Sequence, residues 1–205
     1  MFITNNVVHM TLRKNFLLAS NSSSRYRLLK SAGLKFQTTK PLCNEELIKE
    51  KLLNLKINIK NLPKYLAKEK ALSVSKKTNS LVVGSDTVIV FQNTLISKAK
   101  NLNEAKKKLQ KLSGKKHKII SGVTITMNGK TVCDFYDITN VKIKNLTNSN
   151  ISEYLKQTGN QILSSVGCYQ IESLGPQIIE YIEGDFFNVM GIPLFKLLKY
   201  ISRIK

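Results

Sequence analysis

The segment LVVGSDTVIV, residues 81–90, is the stretch of the sequence that decides the fold. Branched apolar residues stand on both sides of its centre, which is typical of a β-strand covered by protein on both faces. A carboxylate, Asp86, nevertheless lies in the middle. Burying such a charge is costly unless a cation, a metal or hydrogen bonds compensate it. Two interpretations stay open: a functional acid in a buried strand, or a strand end where Asp86 caps a turn.

Length and composition are those of an ordinary globular protein. The chain has 205 residues, of which 42% are hydrophobic and 22% are charged, and this size suits one domain. We expect a loose N-terminal extension over residues 1–15 and a single domain over residues 16–205. No apolar run reaches the roughly 18 residues of a membrane helix, and we expect no secretory leader.

Cysteine and histidine usage limits the kinds of site that the chain can build. Its cysteines, Cys43, Cys133 and Cys168, form no Cys-x-x-Cys pair, so neither a disulfide framework nor a thiolate zinc site is indicated. Two histidines are too few for a His-rich metal site. Any metal would therefore have oxygen ligands, which Mg²⁺ and Mn²⁺ prefer. A reducing cytoplasm is the expected location.

The net charge of +20 raises the question of a nucleic-acid partner. Most lysines are scattered along the chain, however, and no RNA-binding aromatic motif accompanies them. The abundance of Lys, Asn and Ile together is what an AT-biased genome produces. We do not favour nucleic-acid binding as the main function, because a positive field serves a small anionic substrate equally well.

Predicted strands and helices alternate along the chain. A strand at residues 16–19 leads through a polar turn to a helix at 25–32, and Asn128-Gly129 is a strong hairpin signal before strands at 131–135 and 139–143. This order predicts an α/β fold, a mixed β-sheet with flanking helices. In the helix predicted for residues 44–56, we expect one buried apolar face: Leu47, Ile48, Leu52 and Leu55.

The polar residues between these elements form a sparse set of candidates, without a Walker loop, a Rossmann glycine motif or a nucleophile elbow. The serines of segment 20–24 either cap the following helix or cradle phosphate with it. Arg25, in the first turn, opposes the helix dipole unless an anion is present. Lys70 lies beside an apolar stripe, where a lysine extends to solvent or acts on a ligand. The other charged candidates are Glu45, Asp86, Lys98 and Glu172. Carboxylates with cations suit metal-assisted attack of water on a phosphate.

The order of these motifs is itself informative. They are Leu18-Ala-Ser-Asn-Ser-Ser-Ser-Arg25, Ala67-Lys-Glu-Lys70-Ala71, Val83-Gly-Ser-Asp86-Thr87, Leu109-x-x-Leu112-Ser-Gly114-Lys-x-His117 and Glu183-Gly-Asp185-x-x-Asn188-Val-x-Gly191-x-Pro193-Leu194. From Phe16 to about Ile201, the series resembles the Maf family of nucleoside triphosphate pyrophosphatases. That family carries Leu-Ala-Ser-x-Ser-Pro-Arg-Arg, Ala-x-x-Lys-Ala and Gly-Ala/Ser-Asp-Thr at the matching places.

The resemblance implies two lobes around a cleft, in an α/β fold related to that of inosine triphosphate pyrophosphatase. It implies hydrolysis of a nucleoside triphosphate to the monophosphate and pyrophosphate with a divalent cation, Mg²⁺ or Mn²⁺. Asp86 would accept the proton of the attacking water and contact the metal, and Glu45 would help to hold that metal. The phosphates would be bound by Ser20, Ser22, Arg25, Lys70 and Lys98. A homodimer is implied by the resemblance alone.

The chain departs from the family pattern where the nucleotide is selected. Members specific for thymidine or uridine triphosphate have Pro-Arg where this chain has Ser23-Ser24, and they have Gln in place of Glu172. A glutamate there looks more like the 7-methyl-guanosine triphosphate branch, which could use it against a cationic base. That branch usually has Gln where this chain keeps Thr87. Ser24, Thr87 and Glu172 thus give a mixed specificity signature, and the base preference stays open.

Two other functions stay open at this point. The first is a non-catalytic nucleotide-binding or regulatory protein, linked to cell division only by the family's historical name of septum formation inhibitor. The missing arginine at position 24 favours it. The second, less favoured, is a basic nucleic-acid-binding protein. Retention of Asp86, Glu45, Lys70 and Lys98 favours the enzyme, because a simple binding protein does not need a metal-poised acid.

Overall fold

A computed structural model describes residues 15–204, so residues 1–14 of the predicted N-terminal extension lie outside the described residues. The strands of the described region are β1 (Phe16–Ala19), β2 (Phe36–Thr39), β3 (Val82–Phe91), β4 (Thr94–Ile96), β5 (Lys116–Met127), β6 (Lys130–Ile143) and β7 (Ile179–Glu183). Its helices are α1 (Ser23–Ser31), α2 (Glu45–Asn54), α3 (Leu62–Ser75), α4 (Leu102–Leu112), α5 (Asn148–Thr158), α6 (Gly175–Ile178), α7 (Phe186–Val189) and α8 (Leu194–Ile201), with 3-10 turns at Ile59–Asn61 and Gly159–Ser164. Among them, none combines the length and the apolar character that a membrane span needs.

The strands form one mixed sheet in the order β2-β1-β3-β5-β6-β7, and β4 pairs with the end of β3. β1 runs parallel to β2 and β3, and the other neighbours are antiparallel. The predicted α/β class with a mixed sheet and flanking helices is therefore confirmed. The relation to the inosine triphosphate pyrophosphatase fold and the single domain over residues 16–205 stay predictions.

Strand β3 has a gap in its pairing on one side. It pairs with β1 as far as Gly84 and with β4 from Ile89 onward, while β5 runs along its whole other side. On the side of β1 and β4, no strand of the described chain pairs with residues 85–88. This gap lies beyond the carboxyl end of a parallel strand, the place where ligands bind in open α/β sheets.

Asp86 lies inside this gap, in the middle of a strand of 10 residues. The interpretation of Asp86 as a turn cap at a strand end is therefore wrong. Successive side chains of a strand point to opposite faces. Asp86 accordingly reaches Lys70 of α3 on one face, whereas the Thr87 hydroxyl meets the carbonyl of Gly191 on the other.

Two glycines let α3 lie directly on the backbone of the sheet. A Cβ atom on Gly84 would stand 2.3 Å from the carbonyl oxygen of Ala67, and one on Gly122 would stand 2.3 Å from the backbone nitrogen of Lys64. Gly122 is the cross-strand neighbour of Asp86. The close approach of α3 therefore positions its Lys70 beside Asp86.

The prediction for α2 was wrong for half of its apolar face. Leu47 and Leu55 are 63% and 66% exposed, and no residue of the helix is fully buried. Only Ile48 and Leu52 pack against the apolar cluster between α3 and the sheet. Helix α2 therefore packs through the narrow stripe formed by Ile48 and Leu52, while Leu47 and Leu55 stay exposed to water.

The predicted break between two strands at residues 131–143 is also wrong. β6 runs unbroken from Lys130 to Ile143, because its ladder with β5 continues through the polar residues in the middle. Within the β5–β6 pair, the register shifts between Ile125 and Thr126, and the strands stay paired on both sides of the shift. The result is a long hairpin that supports β3 from the side opposite the gap.

Candidate active site

A cleft of about 300 Å³ opens at the gap in β3. Nine of the ten predicted site residues line it: Ser20, Ser22, Ser24, Arg25, Glu45, Lys70, Thr87, Lys98 and Glu172. The tenth, Asp86, is connected to the cleft through Lys70. Because Glu45 and Lys70 lie on one side of the sheet and Ile89 and Ile119 on the other, the cleft reaches both faces. The structure thus brings the predicted residues together, and their individual roles stay predictions.

Glu45, Lys70 and Asp86 form a compact group, here called the acid–lysine cluster. The ammonium of Lys70 lies 2.7 Å from Glu45 Oε2 and 2.7 Å from Asp86 Oδ1. Lys70 is buried, and the Asp86 side chain is only 15% exposed. A buried charge needs such a partner, because water no longer solvates it. The cluster therefore supplies the compensating cation that the position of Asp86 in a buried strand requires.

Glu45 and Asp86 are also suited to hold a divalent cation. Their carboxylates already share the single positive charge of Lys70, and Mg²⁺ is commonly bound by one or two carboxylates together with substrate phosphates and water. Over residues 15–204, no group of three or more Asp, Glu, His or Cys side chains could hold a metal ion. The pair therefore fits a metal whose remaining ligands come from a phosphate-bearing substrate.

Arg25 is buried at the centre of the cleft and is held by its own chain. Its Nη1 donates to Ser20 Oγ at 3.1 Å, its Nη2 to Thr87 Oγ1 at 2.9 Å and its Nε to the carbonyl of Gly191 at 3.0 Å. Burial lowers the pKa of Arg25, but a guanidinium stays protonated in proteins. Its three acceptors are neutral oxygens. The positive charge of Arg25 is therefore available to attract an anion into the cleft.

The serines before α1 serve as caps and as part of the cleft at once. Ser22 Oγ accepts from the backbone nitrogen of Arg25, and Ser20 Oγ accepts from the backbone nitrogen of Ser22. Both hydroxyls still have a proton to donate toward the cleft that they line. The cap and the anion site, which were alternatives from the sequence, are therefore compatible.

Lys108 is a residue that sequence reasoning missed. Its ammonium donates to the carbonyl of Val166 at 3.0 Å and to the carbonyl of Ser97. Val166 lines the cleft, and Ser97 precedes the predicted phosphate ligand Lys98. Lys108 thus ties together two loops that border the cleft. In the sequence it stands within the run of Lys106 to Lys108, which looks like a solvated helix face.

Tyr169 and His117 form a second arrangement that the sequence did not reveal. Tyr169 lines the cleft, and its hydroxyl shares a hydrogen bond of 2.5 Å with Nε2 of the buried His117. The two residues are 52 positions apart, and no local pattern connects them. In the sequence, the only sign of this pair was the position of His117 at the end of the motif Leu109-x-x-Leu112-Ser-Gly114-Lys-x-His117. This hydrogen bond holds the aromatic ring of Tyr169 in place between the cleft and the core.

Stability should depend on pH through His117. Burial lowers the pKa of His117 to about 4 from the ordinary 6.5. Between these values the unfolded chain binds a proton that the folded chain does not, so the free energy of unfolding falls as the pH falls. We expect a loss of about 2 kcal/mol from this group between about pH 7 and pH 5. Urea unfolding of the wild type and of His117→Gln at both pH values measures it. An equal loss in both proteins would contradict this assignment.

Glu172 lies at the same part of the cleft as Tyr169. Its side chain is 16% exposed, and its Oε1 accepts from Nη2 of Arg27, on α1, at 3.3 Å. The Arg27 side chain is 54% exposed. No local pattern singles out Arg27, because it is separated from Glu172 by 145 positions. The predicted specificity residue is therefore already paired with a cation of its own chain.

Comparison with known proteins gives matches over nearly the whole chain. The model of the family described as Maf-like protein matches residues 15–204. A nucleoside triphosphate pyrophosphatase of Caulobacter vibrioides is 35% identical over 184 residues, which cover 90% of this chain and 92% of that protein. A 7-methyl-GTP pyrophosphatase of Bartonella henselae is 38% identical over 188 residues, covering 91% and 94%. A dTTP/UTP pyrophosphatase of Clostridioides difficile is 34% identical over 186 residues, covering 89% and 91%.

Proposed function

Because this chain belongs to the Maf-like protein family, we propose that it hydrolyses a nucleoside triphosphate to the nucleoside monophosphate and pyrophosphate. The observation that carries the proposal is the acid–lysine cluster. Two carboxylates converge on the ammonium of Lys70 at 2.7 Å, at the edge of a cleft that also holds Arg25. Buried charge of both signs at one point is unusual in a protein interior and is characteristic of sites that bind and activate ionic substrates.

The positive side chains determine how a nucleotide would lie in the cleft. Arg25, Lys70 and Lys98 all line the cleft, as do the serines at the amino end of α1, and together the three cations would offset the charge of a triphosphate. The base would lie toward Tyr169 and Glu172, where the cleft has an aromatic wall. The phosphates would thus lie near the serines and Arg25 of α1, and the base near Tyr169.

In the proposed mechanism, Asp86 would activate the attacking water. Its Oδ1 is held by Lys70, and its other carboxylate oxygen can accept a proton from the attacking water. The oxygen of that water forms a bond to phosphorus, and the phosphoric anhydride bond breaks. Pyrophosphate leaves with negative charge that Lys98 and Arg25 offset.

Glu45 and Asp86 would hold a divalent cation, Mg²⁺ or Mn²⁺. When bound, the metal offsets phosphate charge and makes phosphorus easier to attack. In the protein itself, Lys70 keeps the two carboxylates together before substrate enters. The roles proposed for these residues and for the metal are supported by the resemblance and by this geometry, the homodimer by the resemblance alone, and the cytoplasmic location by the cysteine usage.

A nucleotide panel with a lysine variant tests this proposal. We expect pyrophosphate release from at least one triphosphate in the presence of Mg²⁺ or Mn²⁺. In Lys98→Met, the KM should rise about 10-fold, because one charge-assisted contact to phosphate is lost. Lys35→Met removes the same charge outside the cleft and should leave KM unchanged. Equal effects of the two substitutions would contradict the role of Lys98, and no turnover of any triphosphate, 7-methyl-GTP included, would contradict the proposed function.

A further inference from the structure

Glu172 lines the part of the cleft where we place the base, and it is held in an ion pair with Arg27. This pair joins α1 to the loop that follows Tyr169, with 3.3 Å between Arg27 Nη2 and Glu172 Oε1. Among the described residues, Arg27 is the only cation in a salt bridge with Glu172. The mostly buried carboxylate therefore depends on this one arginine for compensation of its charge.

The two side chains of this ion pair differ in their exposure to solvent. The Glu172 side chain is 16% exposed, whereas that of Arg27 is 54% exposed. Arg27 can leave the pair and be solvated by water, and Glu172 cannot gain solvation in the same way. A cation entering the cleft could replace Arg27, but it would also meet the repulsion of the guanidinium. Binding of a cationic ligand group at Glu172 is therefore in competition with Arg27.

We propose that Arg27 is a specificity-determining residue, which neutralises Glu172 and so weakens the preference of the cleft for a positively charged base. This inference rests on the proposed function. A purine methylated at N7 carries a delocalised positive charge, whereas guanine is neutral. With Arg27 in place, Glu172 adds little to the binding of a cationic base. Without Arg27, the unpaired carboxylate attracts such a base and discriminates against a neutral one.

The expected size of the effect follows from the exposure of the arginine. A half-exposed ion pair is screened by water and salt, so its influence is modest. For Arg27→Gln we expect the ratio of kcat/KM for 7-methyl-GTP to kcat/KM for GTP to rise about 5-fold. Added salt should reduce the difference between the two proteins, because the same screening acts on the charge that was removed.

A double-substitution experiment tests whether Arg27 affects the base preference through Glu172. Arg27→Gln should raise the ratio, Arg27→Lys should leave it near the wild-type value, and Glu172→Gln should lower it. In a Glu172→Gln protein, the further change Arg27→Gln should have no effect on the ratio, because the carboxylate that Arg27 neutralises is gone. An unchanged ratio in Arg27→Gln, or the same rise in both backgrounds, overturns the inference. Arg27 is exposed and outside the core, so these proteins should fold.

Binding measurements separate this inference from the proposed function. The dissociation constants of 7-methyl-GTP and GTP can be measured by calorimetry with and without Arg27→Gln in an Asp86→Asn background. The ratio of the two constants should shift toward 7-methyl-GTP when Arg27 is replaced. Such a shift without turnover by the wild type would support the role of Arg27 in base preference and refute the proposed pyrophosphatase activity. An unchanged ratio of constants overturns the role of Arg27 whether or not the wild type is active.

Discussion

Replacing Asp86 with asparagine should lower kcat for pyrophosphate release by about 10²- to 10⁴-fold, the range of a lost general base. Asparagine has nearly the shape of aspartate and can still accept the hydrogen bond from Lys70. It carries no charge, however, and cannot take the proton of the attacking water. The loss should therefore appear mainly in kcat, because Arg25 and Lys98, which line the cleft, would still bind the phosphates under the proposed mechanism.

A matched control for this substitution exists in the same layer of the fold. Asp134 of β6 pairs with Lys64 of α3 at 3.2 Å, in the same way that Asp86 of β3 pairs with Lys70 of α3. Lys70, the partner of Asp86, lines the cleft, whereas neither Asp134 nor its partner Lys64 does. Asp134→Asn should therefore remove an equivalent strand-to-helix ion pair without a change in kcat. Equal kcat in Asp86→Asn and the wild type would refute the assigned mechanism.

Adding one methyl group at Gly122 should destabilise the protein by about 3 kcal/mol or more, at the upper end of what overpacking costs. Its Cβ would stand 2.3 Å from the nitrogen and 2.5 Å from the Cα of Lys64, and 2.4 Å from the carbonyl carbon of Pro63. All three are backbone atoms, so no side-chain rotation relieves the clash. The start of α3 has to move away from the sheet. Urea unfolding of Gly122→Ala measures the cost.

Gly159→Ala provides the comparison for this effect. Gly159 has a positive φ of 55°, and a Cβ there would meet nothing within 4 Å. The added methyl group meets no atom, so its cost of about 1 to 3 kcal/mol is backbone strain alone, because a φ of 55° with a ψ of −153° is nearly restricted to glycine. If Gly122→Ala costs no more than Gly159→Ala, α3 does not rest on the sheet as described. Because α3 carries Lys70, the folded fraction of Gly122→Ala should also lose activity.

Local signals were enough to predict the elements that carry the site. The strand at residues 16–19, the Asn128-Gly129 hairpin and the helix predicted at residues 25–32 were found within a few residues of their predicted bounds, because each has a strong start or stop signal. The mixed sheet then follows from their order. The motifs, together with the scattered charged residues, also pointed to the site: nine of the ten candidates line the cleft, and the tenth, Asp86, is paired with Lys70.

Pairings over long distances could not be predicted from such signals. The contact of Arg27 with Glu172 and that of His117 with Tyr169 depend on how α1 and β5 pack against the loop that holds both Tyr169 and Glu172. The exposure of Leu47 has the same origin. Periodicity shows that α2 has an apolar side, but only the position of α3 determines how much of that side is covered.

Identification of the reaction products tests the central claim most directly. The claim is that the chain cleaves the bond between the α- and β-phosphates, with Asp86 activating the water. Phosphorus NMR of the mixture after incubation with a triphosphate and Mg²⁺ or Mn²⁺ resolves the products. The account predicts nucleoside monophosphate and pyrophosphate in equal amounts with the wild type, and almost none with Asp86→Asn. Nucleoside diphosphate with orthophosphate, or no reaction of any triphosphate with the wild type, would contradict it.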